Sequence, residues 1–171
     1  MRVVEVTAHG GPEVLQVAER PDPVPGDGQV VVAVRAANVN PTDLAARMGY
    51  SPRPLPDPPY VLGWDFAGEV VSVGAGVTGV APGDRVVGMV QWYDAEGRVG
   101  AYAERILVDA GWIVPLPASV DATTAATVPL NGLTAAQGLA RLGLALGQTL
   151  LVTCASGAVG AFAVQLAVAA G

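Results

Sequence analysis

The residues Cys154-Ala155-Ser156-Gly157-Ala158-Val159-Gly160 are nearly all small. They follow the apolar run Leu150-Leu151-Val152-Thr153 and precede an Ala/Val/Leu-rich segment that reaches Gly171. This order reads as strand, turn and helix. A helix N-terminus offers backbone N–H groups and the positive end of its dipole to an anion, and small residues in the preceding turn let a diphosphate come close. Gly157 and Gly160 match the last two glycines of the G-x-G-x-x-G dinucleotide pattern, while Cys154-Ala155 stand where its first glycine pair would be. The same residues also fit a tight strand-to-helix turn that binds nothing. Both readings stay open on the residues alone.

Metal chemistry has little to draw on. Zinc is held mostly by Cys, His and carboxylate, usually with several N or S ligands. The chain has one Cys, Cys154, and one His, His9. A four-cysteine structural site is impossible, and a catalytic site rich in N and S ligands is not expected. A single Cys also forbids an intrachain disulfide, which fits a reducing compartment. No apolar run follows Met1-Arg2-Val3-Val4-Glu5, so a secretory leader is not expected and the default location is cytoplasmic. The net charge is −6 and the nine basic residues are scattered. Nucleic acid and anionic membrane surfaces both need clustered Lys and Arg, so neither is an expected partner. Residues 142–171 carry no charge, yet Gly143, Gly147, Gly157 and Gly160 interrupt them, which reads as buried strand, loop and helix in place of a membrane span.

The elements that would position these residues fall into two regions. Residues 1 to about 110 read as mostly strand. Gly (22) and Pro (14) punctuate Val-rich runs, as in a fold of short strands joined by turns. Expected strands are Val3 to Thr7, Val14 to Ala18, Gln29 to Ala37, Asp65 to Val73, Arg85 to Val90 and Ala101 to Val108. Asn40-Pro41-Thr42-Asp43 predicts a short helix: Asn is a favoured N-cap, Pro fits the first helical position, and Asp43 suits the positive end of the dipole. Gly49 is its expected stop. After Pro117 the character changes. Helices are expected over Asp121 to Thr127 and from Asn131 to about Leu142, followed by the strand–turn–helix unit. One such unit cannot cover a doubly wound parallel sheet. The expectation is therefore a β-rich domain over residues 1–120 and the opening of a truncated α/β domain over 121–171.

Seven stretches occur in an order that resembles the medium-chain dehydrogenase/reductase superfamily, in its zinc-independent quinone oxidoreductase (zeta-crystallin-like) branch. They are Gly11-Pro12-Glu13-Val14-Leu15, Ala36-Ala37-Asn38-Val39-Asn40-Pro41-Thr42-Asp43, Gly63-Trp64-Asp65-Phe66-Ala67-Gly68, Gly83-Asp84-Arg85-Val86, Tyr102-Ala103-Glu104, Pro129-Leu130-Asn131-Gly132-Leu133-Thr134-Ala135 and the glycine loop. The resemblance implies a GroES-like β-rich domain followed by the start of a Rossmann domain. It also implies hydride transfer from NADPH, with NADH as the other possibility, to a quinone or an activated alkene. Zinc-dependent relatives carry a Cys where Asn40 stands and a His-Glu pair where Trp64-Asp65 stand, so the resemblance implies no zinc. It further implies a homodimer for the full-length protein.

By the same resemblance Asn40 lines a cleft near the nicotinamide and the acceptor, Asp43 sits at its rim, and Tyr50 is a cleft phenol able to hydrogen-bond a substrate carbonyl or donate a proton. Thr134 lies beside the nicotinamide, and Ala155, Ser156, Gly157, Ala158, Val159 and Gly160 hold the diphosphate. Each residue also has a purely structural reading. Asn40 and Asp43 fit helix capping, Tyr50 fits a surface loop, and Thr134 fits a helix hydroxyl bonded to a preceding carbonyl. Trp64 is expected to pack and Cys154 to be a small buried residue. Ala158 replaces a second loop glycine of the branch, which is tolerable only with negative φ. The competing function class is a non-catalytic GroES-like binding or structural module, or an inactive fragment, since no charged residue follows the glycine loop to meet the adenosine ribose.

Overall fold

The computed structural model describes residues 1–91 and 100–171. They form two compact units, Met1–Thr127 and Val128–Gly171. Gly97 to Gly100, which lead to the expected strand Ala101 to Val108, lie mostly outside the described residues.

The first unit holds two antiparallel sheets. The smaller has the order β2-β1-β4, with β1 at Arg2–Val6, β2 at Leu15–Glu19 and β4 at Tyr60–Val61. The larger has the order β7-β3-β5-β6-β8, with β3 at Gln29–Ala37, β5 at Asp65–Val73, β6 at Arg85–Met89, β7 at Arg105–Asp109 and β8 at Ile113–Pro115. β3 and β5 match the expected bounds, because long β-branched runs bordered by turn residues specify a central strand well. β4 and β8 go beyond the expected strands. Two- and three-residue strands show no alternation to read, and they exist only because β1 and β6 offer them partners. β7 begins at Arg105 and not at Ala101, while Ala103 makes an isolated bridge to Val3.

Side chains alternate across a strand, and the inward set here is apolar. Val30, Val32, Phe66, Val70, Val86, Ile106 and Val108 are almost wholly buried and form one core with Val6 and Tyr60. Trp64 packs against this cluster as expected.

Two helices join the sheets of this unit. α1, Pro41–Arg47, starts at the N-cap Asn40 and ends before Gly49, which takes a left-handed φ of 86°. α2, Ala122–Ala126, is capped by Asp121, whose carboxylate accepts from the Thr124 N–H at 2.9 Å. Ala125 and Ala126 pack with Ala67 and Leu116, so α2 belongs to the β-rich unit and the division falls seven residues later than 120/121.

The second unit contains α3, Pro129–Leu142, and α4, Ala158–Ala169. α3 starts two residues before Asn131, since Pro at the first helical position carries no N–H to leave unpaired. The strand expected at Leu150 to Thr153 does not form. These residues are not assigned to any strand, and Leu151 is 86% exposed. A parallel strand needs a neighbour for its ladder, and no described residue of this unit supplies one. Among the described residues, no helix is long and apolar enough to cross a membrane.

Candidate active site

The antiparallel pairing of β3 with β5 builds the buried network of the first unit. Ala37 pairs with Phe66, so the end of β3 lies beside the start of β5, and the Asn38 N–H reaches the Asp65 carbonyl at 3.3 Å. That register brings Asn38 and Asn40 to Asp65 from far along the sequence. Asn40 Nδ2 donates to Asp65 Oδ2 at 2.8 Å. Asn38 Nδ2 approaches Asn40 Oδ1 at 3.3 Å and Asp65 Oδ2 at 3.4 Å. Asn40 is 2% exposed and Asp65 is fully buried. Capping and a place in the site fall to the same residue: Asn40 is the N-cap of α1, and its side-chain amide is engaged with Asp65.

Asp43 is also buried, at 2% exposure. Its Oδ2 accepts from the Asn40 N–H at 2.8 Å and its Oδ1 from the Gly63 N–H at 3.1 Å. The carboxylate thus closes the capping box of α1 and ties that helix to the turn before β5. The Tyr102 hydroxyl has two acceptors within reach for its single proton, the Asp43 carboxylate and the Asn38 backbone carbonyl at 3.3 Å. Burial raises the Asp43 pKa from 3.8 to about 6; the bonds from Asn40, Gly63 and Tyr102 pull it back, and the nearby Asp65 pushes it up further. Burial raises the Tyr102 phenol far above its usual range, with the Asp43 charge as the next cause.

Tyr50 is different in character. It lies just beyond α1, its N–H bonds the Ala45 carbonyl at 2.8 Å, and it is 70% exposed. A phenol so exposed is available to a ligand and stands apart from the buried network of Asn38, Asn40, Asp43, Asp65 and Tyr102.

The second unit holds the glycine loop. Thr153 to Ser156 form a turn closed by the Gly157 N–H on the Cys154 carbonyl at 3.0 Å. Gly157 is the N-cap of α4, and the first bond of that helix runs from the Ala161 N–H to the Gly157 carbonyl at 2.8 Å. The N–H groups of Ala158, Val159 and Gly160 therefore have no acceptor within the helix. Residues Cys154 to Val159 are exposed, so the donors of Ala158 and Val159 are approachable. Gly160 is buried, and a Cβ there would lie 2.7 Å from the Ala155 Cα and closer still to the Cys154 carbonyl oxygen. Only glycine allows the turn to fold back onto the helix this tightly. Such a cradle of small residues and unused N–H groups fits the diphosphate of a dinucleotide.

One expectation about this loop changes. Cys154 is exposed, not buried. It also carries the left-handed φ of the turn, 54°, a conformation usually left to Gly or Asn. Ala158 is the first residue of α4 and keeps a negative φ, so the methyl that replaces a loop glycine is accommodated. Thr134 lies in α3 and its Oγ1 donates to the Leu130 carbonyl at 2.6 Å. Among the described residues, no three His, Cys, Asp or Glu side chains gather closely enough to hold a metal.

Residues 26–118 match the family model of the alcohol dehydrogenase GroES-like domain. The chain belongs to that family. It is 40% identical to a quinone oxidoreductase of Pseudomonas aeruginosa over 98% of this chain and 50% of that protein. It is 37% identical to a trans-enoyl reductase of Aspergillus flavipes over 92% of this chain and 48% of that one. The solved quinone oxidoreductase of Coxiella burnetii superposes on all of this chain with a TM-score of 0.89, at 30% identity and over 54% of its own length. The chain spans about half the length of the curated relatives it matches. These relatives place it in the medium-chain dehydrogenase/reductase superfamily.

Within that family, the buried network of the first unit is the part that sequence reasoning does not assemble. Asp65, Asn38 and Tyr102 stand in the sequence only as pieces of matching stretches. One signal was available for Asp65: a charged residue between Trp64 and Phe66, opening a strand of core residues, must be paired or hydrogen-bonded when buried. Nothing in the sequence says that its partner is Asn40.

Proposed function

We propose that the whole protein is an NADPH-dependent reductase that transfers a hydride to a quinone or an activated alkene without zinc. The coenzyme, when bound, supplies the hydride from C4 of its reduced nicotinamide. The observation that carries this reading is the loop at residues 154–160, where Gly160 has no room for a Cβ and the exposed Ala158 and Val159 at the start of α4 have N–H groups without an acceptor in the helix. Quinone oxidoreductases and trans-enoyl reductases among the relatives support the acceptor class. NADH remains the competing coenzyme, and a small-molecule acceptor, a homodimer and a cytoplasmic location belong to the same proposal.

Each residue then has a defined task. Ala158, Val159 and Gly160 donate backbone N–H groups to the diphosphate, and Ala155, Ser156 and Gly157 keep side-chain bulk away from it. Thr134 spends its proton on the Leu130 carbonyl, so toward a ligand its hydroxyl oxygen acts as an acceptor. Asn40 contributes an amide whose direction is set by its neighbours. Tyr50 offers a phenol O–H to the acceptor carbonyl, where charge builds up as hydride arrives. Positioning and preorganised hydrogen bonds lower the barrier.

The test is a steady-state assay of the whole protein with NADPH and NADH against 1,4-quinones, enones and simple alcohols. Coenzyme oxidation by quinones or enones is expected, and alcohols with the oxidised coenzyme are expected to give none. Turnover of alcohols alone would reject the reading.

A further inference from the structure

We infer that Tyr102 is a two-position hydrogen-bond switch thrown by the protonation of Asp43. With Asp43 ionised, the phenol O–H points to the carboxylate and the Asn38 carbonyl goes without it. With Asp43 protonated, the carboxyl O–H points to the phenol oxygen and the phenol O–H turns to the Asn38 carbonyl. The switch lies in the first unit alone and does not depend on the proposed function.

A phenol has one proton to donate and an oxygen that accepts. Burial holds the Tyr102 proton in place far beyond the ordinary phenol range, so the group keeps that single proton at every working pH. Two acceptors compete for it, the Asp43 carboxylate and the Asn38 carbonyl at 3.3 Å. Hydrogen bonds to an ionised group are roughly twice as strong as those between neutral groups. The ionised Asp43 therefore holds the phenol proton against the carbonyl.

Protonation reverses that bond because of what else touches Asp43. Its Oδ2 and Oδ1 face the N–H groups of Asn40 and Gly63, which only donate. A neutral carboxyl carries an O–H that needs an acceptor, and among the partners of Asp43 only the Tyr102 oxygen can accept. At 2% exposure, Asp43 is shut off from bulk water as a substitute. Once the phenol oxygen accepts, its own proton is left for the Asn38 carbonyl. Besides Tyr102, the titratable group that bears on Asp43 is Asp65, at the first residue of β5, and it favours the proton. On α1 itself, Arg47 spends its Nε on the Gly10 carbonyl. Tyr60 sends its hydroxyl to the Ala46 carbonyl, with the His9 ring beside it.

Asn38 lies between the end of β3 and Asn40, the N-cap of α1. The protonated state thus ties Tyr102 to the joint between β3 and α1, and the ionised state lacks that tie. The folded carboxyl titrates at about 6, so the two positions interconvert in a mildly acidic range.

Asn38-Val39 is the one Asn-Val pair in the sequence, so a chain labelled with 13C-carbonyl asparagine and 15N-valine reports the Asn38 carbonyl as a single correlated NMR signal. A carbonyl carbon moves downfield when its oxygen accepts a hydrogen bond. In the wild-type chain this signal is expected to move downfield as pH falls, with a midpoint of about 6. Tyr102→Phe keeps the ring and removes the proton, and is expected to hold the signal at one position throughout. Asp43→Asn puts an NH2 donor where the neutral carboxyl has its O–H, and is expected to hold the signal at its low-pH position. The Asp43 carboxyl, followed by its own 13C signal, is expected to titrate at a higher pH in Tyr102→Phe, where the ionised form has lost a donor. An Asn38 carbonyl that ignores pH in the wild type, or that titrates equally in Tyr102→Phe, overturns the switch. So does an Asp43 midpoint indifferent to Tyr102→Phe, or a folded Asp43→Asn at the high-pH position. The wild-type and Tyr102→Phe comparison decides the matter even should Asp43→Asn fail to fold.

Discussion

Gly160→Ala in the whole protein is expected to weaken NADPH binding by about 100-fold, or about 3 kcal/mol. The effect comes from one methyl group. A Cβ at this position would lie against backbone, the Cys154 carbonyl and the Ala155 Cα, and backbone cannot swing aside as a long side chain can. Either the turn lifts from the first turn of α4 or the helix start shifts, and both move the N–H donors of Ala158, Val159 and Gly160. Gly160→Val is expected to add little beyond Gly160→Ala, since the first carbon already does the damage. Gly157→Ala is the contrast: its Cβ would sit 3.3 Å from the Cys154 carbonyl oxygen, and its φ of −76° suits any residue. A loss below about 5-fold is expected there, within the range of a small steric adjustment. Fluorescence titration with NADPH measures all three. Equal affinities across the series would remove the loop from the coenzyme site.

Asp43→Ala is expected to destabilise the chain by about 3 kcal/mol in urea denaturation near neutral pH, because it orphans two buried backbone N–H groups. Those of Asn40 and Gly63 lose their acceptor together, and α1 loses its tie to the turn before β5. The pH dependence carries a distinct sign. The folded carboxyl titrates at about 6 against 3.8 for an ordinary aspartate, so between these values the folded state holds a proton that the unfolded state has released. The contribution of Asp43 titration to stability is therefore complete below about pH 3.8 and is lost as pH rises to about 6, amounting to about 3 kcal/mol. Asp43→Asn has no such proton. The stability of wild type relative to Asp43→Asn is expected to decline across that window and then level off. A difference that rises with pH would mean that the bonds from Asn40, Gly63 and Tyr102 outweigh burial.

Much of the β-rich unit was legible from local pattern. β3 and β5 are long Val-rich runs between turn residues, and α1 has its cap, its proline and its glycine stop in sequence. What escaped was whatever depends on a partner distant along the chain. β4 and β8 are strands only because β1 and β6 lie beside them. Leu150 to Thr153 has the composition of a strand and is none, because a strand is a relation between two segments. The site divides in the same way. Asn40, Asp43 and the loop at 154–160 were visible as capping and glycine motifs. The Asn40–Asp65 bond comes from the β3–β5 register, which fixes neighbours that no local spacing reveals. Cys154 in the left-handed region was hidden for another reason: its residue type argues against the conformation that the turn imposes.

The most direct test of the account is to follow the hydride. The whole protein, assayed for bound zinc and treated with a chelator, is incubated with NADPH deuterated at C4 of the nicotinamide and with an enone. Deuterium on the β-carbon of the product, at a rate the chelator leaves unchanged, is the predicted result. Product without deuterium from the coenzyme, or activity that vanishes with the metal and returns with added zinc, would contradict it.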